Sequence, residues 1–180
     1  MARSEDTGDE IWLLQHFPVY TQGLSGKAEH VLSPAGIPVI PADRGGQVTY
    51  HGPGQWVAYI LYDLRRAGVN IRELVALLET AVVNLLADLD IKAYGDPAAR
   101  GVYVDGRKIA ALGLKVSRGR SYHGLSLNAD MDLSPFSGIN TCGYEGLEVT
   151  SVAHELHSGS CPSLDDLGEA LLDHLLRVLR

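Results

Sequence analysis

The spacing of apolar and polar residues divides most of the chain into strands. Glu10–His16 and Ile37–Ile40 are short β-prone segments bounded by Pro or Gly, and Gln55–Leu64 is a mostly apolar, aromatic and β-branched run that suits a central strand. Two further segments, Gly101–Val104 and Lys108–Ser117, flank an Asp-Gly pair, which is typical of a tight hairpin turn. The pattern therefore predicts a sheet that contains at least one hairpin.

Helical spacing is found in two segments. Apolar residues recur at intervals of three and four from Ile71 to Leu89, and Asn70 followed by Glu73 predicts a capping box at the start of this helix. A second helix is expected to begin near Ser163, and the alternating segment Ser121–Ala129 predicts one more strand. Together these elements favour a single domain of the α/β (α+β) class, with a mixed sheet flanked by helices.

Length and composition exclude several classes of protein. A chain of 180 residues fits one domain with a substantial core. The formal net charge of −7 gives no support for a nucleic-acid partner, and no apolar run is long enough to span a membrane. The acidic start, Met1–Glu10, is unlike a secretory signal. We therefore expect a cytoplasmic protein whose cysteines are free thiols.

Basic residues are concentrated in the middle of the chain. Six of the fifteen lysines and arginines fall between Arg100 and Arg120, where Asp105 is the single acid. They form either an ordinary solvated surface of strands and turns or a docking patch for an acidic partner, which long-range attraction would steer to the site.

The segment Arg44–Gln55, RGGQVTYHGPGQ, is rich in glycine and suggests chemistry. Four glycines and one proline in twelve residues are poor material for a core, and His51–Gly54 is expected to form a tight loop. The segment is either a plain hairpin connection or part of a ligand-binding site. Gly45 and Gly46 allow a close approach of the backbone to a ligand. The segment matches neither the P-loop nor the dinucleotide-binding glycine pattern.

Cys142 lies in a turn-like stretch, Asn140–Tyr144, rather than in an apolar strand. The residues alone leave two interpretations open, a nucleophile or an inert thiol. In the first, the backbone N–H groups around Gly143 are candidates to hold an oxyanion. Cys161, beside Pro162, is expected to be a surface bystander.

A nucleophilic cysteine needs a neighbouring cation or base, because an ordinary thiol is only a few per cent ionised at neutral pH. His51, His123 and Lys108 are candidates, and their spacing does not choose among them. His154 and His157 lack the spacing of a zinc-protease helix, so no metal site is expected.

Four blocks in the same order carry a family resemblance: Asp43–Gln55, Gly101–Gly119, Tyr122–Phe136 and Ile139–Gly146. Over Glu10–Ser151 the chain closely resembles the lipoyl(octanoyl) transferases of lipoate biosynthesis. The resemblance implies a fold shared with lipoate–protein and biotin–protein ligases. It also implies a chain that lacks the strand and helix that family members usually carry ahead of Glu10.

The resemblance further implies an acyltransferase without a cofactor. The donor would be octanoyl-acyl carrier protein, and the acceptors would be lysines of lipoyl domains in 2-oxoacid dehydrogenase complexes and of glycine cleavage H protein. Cys142 matches the acyl-thioester cysteine and Lys108 the site lysine, which accepts the thiol proton or stabilises the thiolate. The matching substrate-binding residues are Arg44, Gly45, Gly46, Gln47, Val48, Thr49, Tyr50, His51, Ala111, Leu112, Gly113, Gly124, Leu125 and Ser126.

Two other functions compete with octanoyl transfer. An ATP-dependent lipoate–protein ligase would activate a free acid as an acyl-adenylate and would need no cysteine. A non-catalytic binder of lipoyl domains or acyl groups is favoured by the short N-terminal region.

Overall fold

The computed structural model describes residues 8–156 and 161–180. Its strands are β1 (Glu10–Leu14), β2 (Val19–Gln22), β3 (Val39–Pro41), β4 (Val48–His51), β5 (Gln55–Leu61), β6 (Tyr94–Gly95), β7 (Val102–Val104), β8 (Arg107–Ser117) and β9 (Arg120–Asn128). Its helices are α1 (Leu64–Ala67), α2 (Ile71–Asp88), α3 (Val152–Glu155) and α4 (Leu164–Val178).

The strands form two sheets. The larger has six antiparallel strands in the order β1-β5-β9-β8-β7-β6, and the smaller has three in the order β3-β2-β4. The smaller sheet is mixed, because β2 pairs with β3 in parallel and with β4 in the antiparallel direction. The predicted fold class, a mixed α/β arrangement with flanking helices, is confirmed.

Helices α2 and α4 pack in one core with the larger sheet. Leu78 and Leu85 of α2 and Leu171 of α4 are almost completely buried there, and each such side chain contributes roughly 1.5–3 kcal/mol. The predicted capping box is confirmed: Asn70 Oδ1 accepts hydrogen bonds from two backbone N–H groups of the first turn, and the Glu73 carboxylate accepts from the Asn70 N–H. None of the described helices is long and apolar enough to cross a membrane.

The hairpin turn between β7 and β8 is confirmed in detail. Asp105 and Gly106 have φ angles of 47° and 80°, and two successive positive φ angles are typical of the tight turn that an Asp-Gly pair favours. Other strand boundaries shift by one to three residues; for example, Ile37–Ile40 was predicted, and β3 covers Val39–Pro41.

Two expectations about local structure are wrong. The glycine-rich segment contains β4, and all four residues of this strand are buried. The ring of Tyr50 packs between Tyr20 and Phe136 in a second core. Cys161 is partly buried and packs against the main core, so it is not a surface bystander.

Candidate active site

Lys108 and Cys142 are in contact although they lie 34 positions apart in the sequence. The Lys108 ammonium donates to Cys142 Sγ at 3.2 Å and to the Arg100 carbonyl at 3.1 Å. It also lies 5.1 Å from the centroid of the Tyr103 ring. Lys108 is 2% exposed, whereas Cys142 is half-buried. Of the three cations or bases proposed from the sequence, Lys108 is the one that contacts the thiol.

Backbone pairing explains this meeting. The Lys108 N–H donates to the Glu148 carbonyl, and the Thr150 N–H donates to the Lys108 carbonyl, both at 2.9 Å. These bonds form an isolated parallel bridge between the start of β8 and the segment that follows the cysteine turn. The chain leaving Cys142 is thereby fixed beside the lysine.

Cys142 occupies a backbone conformation that is unusual for its residue type. Its φ and ψ are 55° and 19°, in the left-handed region, inside a 3₁₀ turn of Thr141–Gly143. Such conformations cost of order 1–3 kcal/mol and cluster at functional sites.

Two backbone N–H groups around Gly143, which were expected to hold an oxyanion, are hydrogen-bonded within the cysteine turn. The Gly143 N–H donates to the Asn140 carbonyl at 2.8 Å, and the Tyr144 N–H donates to the Thr141 carbonyl at 3.1 Å. These two donors are engaged within the turn, and the oxyanion role of the remaining backbone stays a prediction.

Two cations surround the sulfur. Burial lowers the pKa of Lys108, but the charge of Cys142 and the Tyr103 hydroxyl outweigh burial, so the pKa of Lys108 is raised overall. Burial lowers the pKa of Arg44, and Cys142 opposes that shift. The Arg44 guanidinium is fixed by Thr21, to whose carbonyl it donates at 2.6 Å. Cationic side chains beside a cysteine are typical of reactive cysteines.

Cys142 and Lys108 line a cavity of about 540 Å³. This volume lies in the range of small-molecule binding sites. Its buried floor includes Val57, Leu125 and Ser126, whereas Arg72 and Tyr144 at its edge are exposed. The cavity therefore extends from exposed to buried residues, and its buried part combines apolar side chains with the polar side chains of Thr49 and His51.

Most residues of the predicted substrate-binding set line this cavity. Those that do are Arg44, Gly45, Gly46, Gln47, Thr49, His51, Ala111, Leu112, Gly113, Gly124, Leu125 and Ser126. Val48 and Tyr50 lie instead in the second core with Tyr20 and Phe136, because successive side chains of β4 point to opposite faces.

The two histidine candidates lie in the cavity wall with other partners. His51 Nδ1 donates to Gln55 Oε1 at 2.7 Å, since the Gln55 amide nitrogen already donates to Asn128 and the Tyr50 carbonyl. Burial is the main cause that lowers the pKa of His51 to about 4, so its ring is neutral at pH 7. His123 Nε2 lies 2.7 Å from the Asp43 carboxylate.

Sequence reasoning missed several residues of the cavity. Val57 and Tyr59 come from β5, Ile71 and Val75 from α2, and Tyr144 from the cysteine loop. The apolar residues of β5 and α2 fit the pattern of an ordinary core. A local sequence pattern does not distinguish the wall of a cavity from a core. Exposed Tyr144, two residues after the candidate nucleophile, was the one available hint.

The basic residues between Arg100 and Arg120 do not form one unpaired patch. Lys108 is inside the site, Arg107 pairs with the buried Glu155 at 3.1 Å, and Arg120 pairs with Asp63 at 3.1 Å. Among the described residues, no cluster of three or more metal-ligating side chains occurs.

Comparison with protein families and curated relatives gives consistent matches. The family model described as "Lipoyl protein ligase A/B catalytic domain" matches residues 1–176. An octanoyltransferase of Stutzerimonas stutzeri is 55% identical over 178 residues, which are 99% of this chain and 80% of the relative. An octanoyltransferase of Nitrosomonas europaea is 59% identical over 178 residues, which are 98% of this chain and 87% of the relative.

Solved structures share the fold at low sequence identity. Lipoate-protein ligase A bound with ATP superposes with a TM-score of 0.76 at 17% identity, covering 96% of this chain and 73% of that one. Biotin protein ligase from Aquifex aeolicus in complex with biotin and ATP gives 0.59 at 14% identity, covering 88% of this chain and 69% of that one. By its match to the family model and its identity to these relatives, the chain belongs to the lipoyl protein ligase A/B catalytic domain family.

Proposed function

We propose that this protein is an octanoyltransferase of lipoate biosynthesis that carries the acyl group as a thioester on Cys142. The observation that carries the proposal is the 3.2 Å contact between the buried Lys108 ammonium and Cys142 Sγ at the edge of the cavity. The high identity to octanoyltransferases supports the same activity.

In the first half-reaction the Cys142 thiolate attacks the carbonyl carbon of the octanoyl thioester on acyl carrier protein. The carbon–sulfur bond to the carrier breaks, and the Lys108 ammonium gives its proton to the departing sulfur. The products are octanoyl-Cys142, a neutral Lys108 amine and the carrier thiol. The raised pKa of Lys108 supports an ammonium in the resting enzyme, ready for this role.

In the second half-reaction the neutral amine of a lipoyl-domain lysine attacks the Cys142 thioester. Lys108 takes a proton from the attacking nitrogen, the bond to Cys142 Sγ breaks, and the octanoyl amide leaves. The ammonium–thiolate pair is regenerated, so protons and electrons balance without ATP or a metal ion. Exchange between thioesters is nearly isoenergetic, and conversion of a thioester to an amide is downhill.

The acyl chain is proposed to occupy the apolar interior of the cavity. Val57, Val75, Leu112 and Leu125 contribute side chains there, and Gly113 allows the Arg44 side chain to pack directly on β8. Burial of a hydrocarbon chain contributes roughly 0.8 kcal/mol per methylene, which favours a medium-chain acyl group over a short one.

The test separates the transferase from an ATP-dependent ligase. The protein is incubated with lipoyl domain and either octanoyl-acyl carrier protein or octanoate with ATP and Mg²⁺, and octanoylation is measured by mass spectrometry. Octanoylation is expected with the carrier alone and is expected to be lost in Cys142→Ala. Octanoylation that requires ATP, or that survives in Cys142→Ala, would contradict the proposal, and no octanoylation in either mixture would favour a binding protein.

A further inference from the structure

The side chain of Gln47 lies against the cysteine turn without a hydrogen bond to its oxygen. Among residues 8–156 and 161–180, Gln47 Oε1 is the buried side-chain polar atom that has no partner. Gln47 lines the same cavity as Cys142 and Lys108. A β-carbon added to Gly143 would overlap the Gln47 carboxamide, so the glycine after Cys142 leaves room for this amide beside the nucleophile.

A buried carbonyl oxygen without a donor costs free energy, and native structures keep very few such groups. When such a group lies in a cavity, a bound ligand often supplies the missing hydrogen bond. The partner must be a hydrogen-bond donor, because a carboxamide oxygen only accepts. An octanoyl chain and a thioester carbonyl have no N–H or O–H, so neither can supply it.

Two reactants of the proposed function bring an N–H group to this cavity. One is the attacking amine of the acceptor lysine, whose nitrogen must come within bonding distance of the carbonyl carbon on Cys142. The other is the amide of the carrier's pantetheine arm, which is separated from the reacting sulfur by two methylenes. Since Gln47 lies directly on the residue after Cys142, the amine is the closer fit.

We infer that Gln47 Oε1 accepts a hydrogen bond from the acceptor lysine's attacking nitrogen and thereby orients that nitrogen towards octanoyl-Cys142. The inference rests on the proposed function and assigns Gln47 to its second half-reaction. As the carbon–nitrogen bond forms, the nitrogen becomes positive and its N–H groups become stronger donors. Gln47 holds one N–H while Lys108 removes the proton from another, so the hydrogen bond is stronger in the transition state than in the ground state.

The test uses the isolated acyl-enzyme and two nucleophiles. Wild type and Gln47→Met, which keeps the shape of the side chain but lacks the acceptor, are loaded with octanoyl-acyl carrier protein and purified. The octanoyl group is then released by lipoyl domain, an amine nucleophile, or by ethanethiol, a thiol without an N–H or O–H group. Gln22→Met is the matched control, since Gln22 packs against Gly26 and does not line the cavity.

Gln47→Met is expected to slow release to lipoyl domain by about 10- to 100-fold, the loss expected for one hydrogen bond to a charged group. Release by ethanethiol should change less than about twofold, since this thiol has no N–H or O–H group to donate to Gln47 Oε1. Gln47→Glu, which retains an acceptor oxygen, should restore part of the aminolysis rate and serves as the second variant if Gln47→Met fails to fold.

Four results would overturn the inference. Equal slowing of both nucleophiles would mean a structural role, and unchanged aminolysis would mean no role. Slowing confined to loading from the carrier would assign Gln47 to the pantetheine amide. If Gln47→Glu is as slow as Gln47→Met, the group required is the amide nitrogen and not the oxygen. A wild-type chain that never acquires the octanoyl group contradicts the proposed function itself, which is a different failure.

Discussion

Replacing Lys108 by methionine separates its role in chemistry from its role in stability. Methionine fills a similar volume without the ammonium, and the site of Lys108 is almost completely buried. The substitution removes a buried charge without opening a cavity. We therefore expect the folded state to be retained.

The size of the effect follows from the 3.2 Å contact. At an effective dielectric constant of about 20, opposite unit charges at this distance attract by about 5 kcal/mol, and the desolvation of both groups offsets part of that. The variant should load octanoyl about 10²- to 10⁴-fold more slowly, the range for loss of a positioned acid or base. The free energy of unfolding should stay level or rise by about 1–3 kcal/mol, since a buried ammonium is removed.

The assay combines three readouts on Lys108→Met and on Lys92→Met, a control with the same chemical change at an exposed position outside the cavity. Quenched-flow mass spectrometry gives the loading rate, iodoacetamide alkylation at pH 7 reports the reactivity of Cys142, and urea denaturation gives the free energy of unfolding. Lys108→Met should lose loading and alkylation together while remaining folded. Undiminished alkylation in a folded Lys108→Met would refute the reasoning, because another group would then be maintaining the thiolate.

Three further outcomes are expected from other parts of the structure. Gly101→Ala should slow loading about tenfold or more, because φ is 145° there and the new β-carbon would lie 3.0 Å from Lys108 Cε; a wild-type loading rate would contradict the tight packing. His51 has a pKa of about 4 when folded and about 6.5 when unfolded. The unfolded chain therefore binds more protons between these values, and stability falls by about 3 kcal/mol from this group as the pH drops from 6.5 to 4. In His51→Leu the free energy of unfolding, measured by urea denaturation at each pH, should fall less between pH 6.5 and 4. An unchanged pH dependence would refute this role of His51. Asn70→Ala should lower the free energy of unfolding by about 1 kcal/mol, because the capping box is lost. Calorimetry should show a lower melting temperature while the loading rate stays unchanged, and a wild-type melting temperature would contradict this prediction.

Elements with a local signal could be predicted from the sequence. The Asp105-Gly106 turn and the Asn70 cap are determined by the conformational preferences of neighbouring residues, so both were correct. Strand β4 was missed because its sequence lies between glycine pairs and looks like a loop. Its burial depends on distant residues, because Tyr20 and Phe136 pack with Val48 and Tyr50 of β4 in the second core.

The site residues also divide into those that the sequence indicates and those that depend on distant contacts. The sequence offered Cys142 and three possible partners for it, but the choice of Lys108 depends on the bridge between the start of β8 and the segment after the cysteine turn. That bridge joins residues 41 positions apart, Lys108 and Val149, and leaves no periodic pattern. The same limit applies to the predicted oxyanion donors, since a turn-like sequence does not show that the Gly143 N–H is already bonded to the Asn140 carbonyl.

The most direct test of the central claim is the mass of the protein after brief mixing with octanoyl-acyl carrier protein in the absence of lipoyl domain. We predict a gain of one octanoyl group per chain, located at Cys142 by peptide mapping, released by hydroxylamine, and absent from Cys142→Ala. A protein that octanoylates lipoyl domain while Cys142 stays unmodified, or that carries the group on another residue, would contradict the account.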